Sequence, residues 1–588
     1  MFTKVLVANR GEIAIRIFRT LRELRIGSVA VYSDVDRAGL HPTFADEAFA
    51  LGGTAAAESY LNIEKLLDAA HRSGAEAVHP GYGFLAENAT FAQAVEDAGL
   101  VWIGPPPGAI ELMGSKTRAR KLMQDAGVPI IPGTTEPLAS AEAVVALAEE
   151  IGYPLLIKAA AGGGGKGMEV VRSAEEAAQA FDTAQRQGLS YFADASVYAE
   201  RYLENPRHVE VQVLADAHGN VIHLGERDCT LQRRHQKLIE ETPSPAVDAV
   251  LRSRIGKIAT DAAGACGYRS AGTIEGLLTP EGDYFFMEMN TRIQVEHTVT
   301  EEVTGLDLVR EQIVIAAGEP LSLRQEDVVL RGHAIECRIN AEDPSRGFLP
   351  SPGRITSYRE PAGPGVRVDS GVASGSEISG AYDPMIAKLI VWDVDRDAAR
   401  RRMLRALSEF EIGGVASLLG FHQALLSHPC FAAGETCHGI VESEELARQA
   451  EGFSHQATSL AGQADGSLSA QTTVPRTAVA EVDGQRVAVT VLVPEPPYRE
   501  LARQRRDRVA AGAGSGSDSV VSPMQGIVLD VKVADGDAVE AGHVVCIVEA
   551  MKMENEVTAH RSGTIADLSV SVGQPVTAGQ HICVIEAG

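Results

Sequence analysis

The amino-acid sequence predicts a multidomain protein of α/β and α+β parts, with a doubly wound domain at its start and a small β-sandwich at its end. Three observations lead there. At 588 residues and 45% hydrophobic content the chain is too long for one compact core. Its beginning alternates apolar strands with amphipathic helices, and its last part repeats itself.

From Lys4 the pattern runs strand (KVLVA), Gly-containing turn, amphipathic helix (EIAIRIFRTLRELR) and second strand (SVAVYS), the rhythm of a parallel sheet with helices on its faces. Near Gly133 the rhythm changes. From Pro154 onward strands pair across short Gly-rich turns with helices beside them, a mixed α+β region that reaches about Leu446. Gly452 to Pro475 is Ser, Gln, Ala, Thr and Gly without a hydrophobic period, which reads as a flexible connector. Asp483-Gly484 between TAVAEV and QRVAVTVLV signals a hairpin, and Ala510 to Ser519 reads as a flexible tether.

At an offset of 37, Gly526 to Ala550 and Gly563 to Ala587 agree at their glycines, at Asp530/Asp567 and at Cys546/Cys583. Two similar β-halves are joined by Met551 to Ser562, and a quasi-symmetric sandwich displays Lys552, in MKM, on the turn between them. The other reading of Lys552 is an ordinary solvated lysine.

A net charge of -26 with few basic clusters argues against a nucleic-acid partner. The seven cysteines contain no C-x-x-C, so buried reduced thiols are expected rather than a disulfide scaffold or a zinc knuckle. Phe2 to Ala8 is too short an apolar run for a signal peptide or membrane span, and no later segment is long enough either, so no membrane role and a cytoplasmic location are expected.

Two segments carry chemistry. KAAAGGGGKGM (Lys158 to Met168) follows an apolar strand but runs into a second strand, MEVVR, instead of a helix. That context suits a β-glycine-β flap closing over a nucleotide with its backbone N–H groups, the alternative being a floppy surface hairpin. In SAGTIEGLLTPEGDYFFMEMNTRIQVEH, a hairpin symmetric about the bond between Glu281 and Gly282 places Glu275 opposite Glu288, with Phe285, Met287 and Met289 facing the core. Cβ atoms about 5 Å apart put like charges in repulsion. A divalent cation turns that into ligation, and the oxygen donors Glu275, Glu288 and Asn290 suit Mg²⁺ or Mn²⁺ bound with ATP phosphates. If the strand persists, Arg292, Gln294 and Glu296 follow on the same face. A solvated pair on an edge strand, or a one-residue slip of register, are the competing readings.

VLVANRGEIAIRI, HPGYGFLAEN, MGSK, RHVEVQVLAD, ERDCTLQRRHQK, EMNTRIQVEH and ECRINAEDP resemble biotin carboxylase of the ATP-grasp superfamily over about residues 1 to 446. EAMKMEN at the hinge of the repeat resembles the biotin carboxyl carrier domain, the two methionines distinguishing it from the similarly folded lipoyl domain. Together they resemble the α subunits of actinobacterial acyl-CoA carboxylases. The resemblance implies an N-terminal α/β domain over 1–114 and an ATP-grasp domain over 115–330, its flap at about 133–203. A C-terminal biotin carboxylase domain over 331–446 follows, then a linker over 447–519 that either contacts a β subunit or is a passive spacer, and a biotinyl domain over 520–588.

It further implies ATP-dependent carboxylation of biotin by bicarbonate through carboxyphosphate. Lys116, Lys158 and Gly162, Gly163, Gly164, Gly165 and Gly167 are implied to hold the ATP phosphates. Met168, Glu200, Leu203, His208, His235 and Leu277 are implied to line the nucleotide site, although both histidines also suit purely structural roles. Glu275 and Glu288, with Asn290, are implied as metal ligands, and Lys237, Arg292, Gln294 and Val295 as the bicarbonate site. Glu296 is implied as general base, its pKa tuned by Arg292 and burial, and Arg338 as the cation that stabilises the biotin enolate. Lys552 is implied to carry biotin. A carboxyltransferase β subunit, biotin protein ligase and homo-oligomeric assembly in a larger complex are the implied partners.

Three positions depart from the family pattern: Gly276 where a bulky aromatic is usual, Ala160-Ala161 where one Ser is common, and Thr298 where a Pro is usual. Gly276 is expected to loosen its strand by roughly 0.5 to 1 kcal/mol. The biotin carboxylase component of a pyruvate or other carboxylase, an amide-forming ATP-grasp ligase, and a carrier with a decayed enzyme domain remain alternative readings.

Overall fold

The computed structural model describes residues 1–134, 136–159, 168–192, 195–463, 473–482, 485–494, 519–550 and 553–586. The chain divides into two units, Met1–Phe453 and Ser454–Gly588.

The first unit opens with five parallel strands, β1 (Lys4–Val7), β2 (Gly27–Tyr32), β3 (Glu47–Ala50), β4 (Ala77–His79) and β5 (Val101–Trp102), in the order β3-β2-β1-β4-β5. Alternation along β1 sends Val5 and Val7 into one apolar cluster with Ile13, Ile17 and Phe18, and Leu6 into another with Val29 and Val31. Both faces are covered, which is why the strand reads as a continuous apolar run.

Next come β6 (Leu155–Ala159), β7 (Met168–Val171) and β8 (Val197–Arg201), a small sheet in the order β7-β6-β8. An eight-stranded sheet follows. It contains β9 (Arg207–Ala215), β10 (Val221–Arg233), β11 (Gln236–Thr242), β12 (Ser270–Leu278), β13 (Tyr284–Asn290), β14 (His333–Asn340), β15 (Val366–Ser370) and β16 (Met385–Asp393). Their order is β13-β12-β9-β10-β11-β14-β16-β15. Along β9, Val209, Val211 and Val213 pack on Ile255, Ala259 and Ala263 of the helix Ala249–Ala265. His208, Glu210 and Gln212 therefore take the opposite face.

The helix Glu444–Gln463 extends well into the segment read as connector. Its Ala, Leu, Glu and Gln content supports a helix that absorbs the isolated Gly452, and the absence of a hydrophobic period concealed it. A second correction concerns the cysteines. Cys430 and Cys437, with Cα atoms 5.6 Å apart, form a disulfide, while Cys229, Cys337, Cys546 and Cys583 are free and buried and Cys266 is free and partly buried. Spacing gave no sign of that bond because it depends on how the chain folds back after the short helix Pro429–Ala432.

In the second unit, Thr473–Val482 and Gln485–Pro494 pair antiparallel, Val482 opposite Gln485, so the hairpin closes where it was read, with Asp483 and Gly484 themselves outside the described residues. The repeat forms two four-stranded sheets. One contains Ser519–Val521, His581–Glu586, Gly563–Ala566 and Ala538–Val539, the other Met553–Thr558, Val544–Ala550, Gly526–Val531 and Pro575–Val576. Strands at equivalent places in the two halves lie in opposite sheets. Ala550 pairs with Met553, which leaves Met551 and Lys552 between the strands and outside the described residues. Among the described residues no helix is long and apolar enough to cross a membrane.

Candidate active site

β12 and β13 meet through a three-residue loop, Pro280-Glu281-Gly282: Thr279 N–H donates to Asp283 O and Gly282 has φ +89. Near the loop the register is centred on Glu281, pairing Leu278 with Tyr284 and Gly276 with Phe286, half a residue from the centre read in the sequence. A bulge then shifts it and restores Glu275 opposite Glu288 and Thr273 opposite Asn290. The carboxylates meet as expected, but the bulge changes the facing of the residues around it. Tyr284, Phe286 and Met289 enter the core, whereas Met287 lines the cleft and Phe285 is only partly buried, correcting the expectation for Phe285 and Met287. Gly276 does not leave a gap. A Cβ there would lie 2.3 Å from the Tyr284 ring, which fills the place of a side chain and donates from Oη to Val209 O at 3.2 Å.

On its other side Glu275 is opposite Glu210 of β9, so Glu288, Glu275 and Glu210 form a row of carboxylates across three strands. Glu275 and Glu288 line a cleft of about 840 Å³, with Glu210 buried behind them. Lys237 of β11 ties the site together, donating to Glu210, to Glu275 at 2.9 Å and to Glu296 at 2.5 Å. Glu275 also accepts from Asn290 Nδ2 at 2.8 Å and Gln294 Nε2 at 2.6 Å, and His208 Nε2 lies 2.9 Å from it. Burial pushes the Glu275 carboxyl up, but Lys237 and His208 outweigh it and hold the group well below the ordinary carboxylate range. Glu288 is raised by burial and by the charge of Glu275. Opposed carboxylates of this kind fit a cation, and Glu275 and Glu288 offer it oxygen donors. Asn290 turns Nδ2 to Glu275 and gives Oδ1 to Arg292 at 2.9 Å. Among the described residues, His208, Glu210 and Glu275 bring potential ligand atoms within 4.8 Å of one another.

The strand ends at Asn290, so the alternation invoked for Arg292, Gln294 and Glu296 does not continue. A loop, Thr291 to Val295, replaces it, and this is why Val295 lines the cleft together with its two neighbours. Arg292 donates to Glu87 at 2.9 Å. Glu296 immediately precedes the helix His297–Thr304, and its carboxylate turns to Arg338, whose Nη2 lies 2.8 Å away. Burial raises the Glu296 carboxyl, and Lys237, Arg338 and Arg227 together bring it far below the usual value. Arg292, expected to tune it, is not among the leading causes; its Nε belongs to Glu87. Arg338 in turn donates from Nε to Glu240 at 2.5 Å.

At the other end of the cleft, Lys116 opens the helix Lys116–Asp125, and Lys158 on β6 pairs with Glu200 on β8. Met168, His208, His235 and Leu277 line the same cavity. Leu203 does not: β8 ends at Arg201, so the alternation that aims Glu200 inward stops short of it. Gly162, Gly163, Gly164, Gly165 and Gly167, like Lys552, lie outside the described residues.

Sequence reasoning missed Glu210, Arg227 and Glu240. Arg227 is fully buried and donates to Glu210, Gln212, Thr273, Gln294 and Thr300. Period-two parity from His208 would have flagged Glu210, whereas Arg227 and Glu240 acquire their partners only through tertiary pairing.

Family models match most of the chain: "Biotin carboxylase, N-terminal domain" over residues 1–110, "Carbamoyl-phosphate synthase L chain, ATP binding domain" over 115–324, "Biotin carboxylase C-terminal domain" over 336–443 and "Biotin-requiring enzyme" over 518–585. The biotin-dependent acyl-coenzyme A carboxylase alpha3 subunit of Mycobacterium leprae is 47% identical over 95% of this chain and 94% of its own length. The biotin carboxylase of Nostoc is 54% identical over 75% of this chain and 99% of its own. Among solved structures, the Hydrogenobacter thermophilus 2-oxoglutarate carboxylase biotin carboxylase domain, in complex with MgADP, ADP and bicarbonate, superimposes with a TM-score of 0.72 at 47% identity, covering 76% of this chain and 99% of that one. The Campylobacter jejuni biotin carboxylase gives 0.71 at 46% identity, covering 74% and 98%. The chain belongs to the biotin carboxylase family, an ATP-dependent carboxylase joined in one polypeptide to the carrier domain of biotin-requiring enzymes.

Proposed function

We propose that this chain is the α subunit of an acyl-CoA carboxylase, which activates bicarbonate with ATP and loads the carboxyl group onto biotin borne by its own Lys552. A separate carboxyltransferase β subunit then transfers it to an acyl-CoA. The observation that carries the chemistry is the convergence of Lys237, Glu275, Glu296 and Arg338 on one cleft. The acyl-CoA reading is supported by similarity over almost the full length to the M. leprae protein, both units included. A pyruvate carboxylase component from Methanothermobacter thermautotrophicus, 54% identical over 74% of this chain, supports the second reading, a component of another carboxylase.

Glu275 and Glu288 would hold a magnesium ion with the nucleotide, where it neutralises charge on the γ-phosphoryl group. Lys116 and Lys158 neutralise the remaining phosphate charge. Bicarbonate lies against Arg292, Gln294 and Val295, and its oxygen attacks the γ-phosphorus as ADP leaves and its proton passes to Glu296. In the resting arrangement Glu296 is a weak base because Lys237 and Arg338 stabilise its charge, so the anion must draw those cations to itself before the proton moves. Once protonated, Glu296 no longer balances Arg338. Nη2 is then released towards the ureido oxygen of biotin while Glu240 retains Nε; carboxyphosphate splits into CO₂ and phosphate, the phosphate takes the ureido N–H proton, and the nitrogen forms its new bond to the carbon of CO₂.

Three experiments test this reading. ADP release must need bicarbonate and free biotin and no amine, and an amine requirement points to an amide-forming ligase instead. Co-purification with β-subunit candidates, followed by bicarbonate fixation onto acetyl-, propionyl- and butyryl-CoA, identifies the acceptor. Replacing Glu288 by Gln raises the metal requirement and lowers turnover, and unchanged metal dependence counts against the carboxylate pair.

A further inference from the structure

We propose that Lys388 is a positioning residue that fixes the backbone of the bicarbonate loop and the Tyr82 wall of the cleft from beneath. This rests on the bicarbonate reading of Gln294–Glu296 given above.

Lys388 lies on β16, opposite Arg338 of β14 and Asp369 of β15, and is 0% exposed. Its Nζ donates to Val295 O at 2.8 Å. It lies 3.5 Å from Glu12 Oε1 and 3.9 Å from Asp369 Oδ2, and 5.9 Å from the centroid of the Tyr82 ring. Tyr82, which lines the cleft, donates its hydroxyl to Glu12. One ammonium group thus bonds the carbonyl of the loop, pairs with the carboxylate that anchors the opposing ring and stands over that ring.

The carbonyl it holds belongs to the peptide linking Val295 to Glu296. Fixing that peptide plane fixes the direction in which the Glu296 side chain leaves the backbone. The preceding carbonyl, Gln294 O, is held by His297 Nδ1 at 2.7 Å. Both peptides that follow the side chains facing bicarbonate are therefore tied down from the buried side, and Lys388 is the tie supplied by a distant strand.

Packing alone gives no reason for a lysine here. A buried cation loses its hydration, and beside Arg338 it also meets a like charge, so an apolar side chain of similar volume would serve the fold as well or better. What an apolar side chain lacks is a strong donor for Val295 O. Arg338 and Lys388 coexist because carboxylates flank each, Glu240 and Glu296 for the first and, for the second, Glu12 together with Asp369, which Lys388 shares with Arg367.

The test uses the full chain with Lys388→Met combined with Glu12→Gln, which keeps the buried charge balanced, and measures bicarbonate-dependent ADP release and thermal unfolding. We expect KM for bicarbonate to rise about tenfold, as for a lost charge-assisted hydrogen bond, with KM for ATP and Tm near the wild-type values. Lys388→Arg, which keeps a cationic donor, is expected to fall between the two. An unchanged bicarbonate KM overturns the proposal. So does a parallel rise in both KM values with a lowered Tm, or a double variant that does not fold, because either assigns Lys388 to the fold alone. If wild-type ADP release is itself indifferent to bicarbonate, the functional reading fails first, and the two failures are told apart by that control.

Discussion

The β10–β9–β12–β13 part of the first unit and the sandwich of the second are both antiparallel and both interrupted by bulges, yet the cleft side of the one and the interior of the other are built of opposite materials. In the first, Glu210, Gln212 and Arg227 are wholly buried and Glu275 nearly so. In the second, equivalent depth is occupied by Val528, Val545, Cys546, Val548, Ile582, Cys583 and Ile585. Buried charge is tolerated only where each ion has partners, and it carries little net stability, so its concentration in one sheet marks where reaction chemistry is organised. A carrier needs only a rigid apolar body that presents one lysine.

This contrast can be broken in stages. Lys552→Arg is expected to abolish biotin labelling completely while leaving bicarbonate-dependent ADP release with free biotin intact. Streptavidin binding by that variant would show that another residue bears the cofactor. Glu296→Gln is expected to do the converse, lowering turnover with free biotin by about 10² to 10⁴ while labelling continues, as measured by steady-state kinetics alongside a streptavidin blot. Arg227→Met leaves Glu210 buried with Lys237 as its remaining close cation and strips Gln212, Thr273, Gln294 and Thr300 of a shared donor, and is expected to cost about 3 to 5 kcal/mol in the first unit, read by denaturant unfolding. In the sandwich, Cys546→Ala and Cys583→Ala each remove one small buried group at equivalent places. Each is expected to cost about 1 kcal/mol, and unequal losses would mean that the halves share the core unevenly.

The smallest effect concerns pH. Glu240 and Glu336 face each other across β11 and β14, and burial pushes them up to about 8 and about 7. Folding thus raises both above the ordinary carboxylate value. The stability linked to them is present below that value and is lost as pH rises towards 7 to 8. Glu336→Gln is expected to flatten the fall of Tm over that interval, and an unchanged slope removes this pair as its source.

The turn residues and parity made the Glu275–Glu288 pair legible, because both act locally. The bulge that rescues their register was not, since it depends on Tyr284 packing into the space over Gly276. The repeat was legible from Cys546/Cys583 and the glycines alone. Arg227, Glu240 and Lys388 were not, because a lone basic or acidic residue gains meaning only when distant strands meet, as when β16 brings Lys388 to Val295. The helix Glu444–Gln463 was hidden by its lack of a hydrophobic period, and the Cys430–Cys437 bond by having no spacing rule to reveal it.

Exchange of strands between the two halves of the sandwich has a consequence for synthesis. The sheet that holds Ser519–Val521 is completed by His581–Glu586, and the sheet that holds Val544–Ala550 and Met553–Thr558 takes Pro575–Val576 from the second half. Neither half is a nascent subdomain that can close while its sister is still on the ribosome. Closure of the sandwich therefore waits until His581–Glu586 has been made, and any recognition that depends on the folded carrier waits with it.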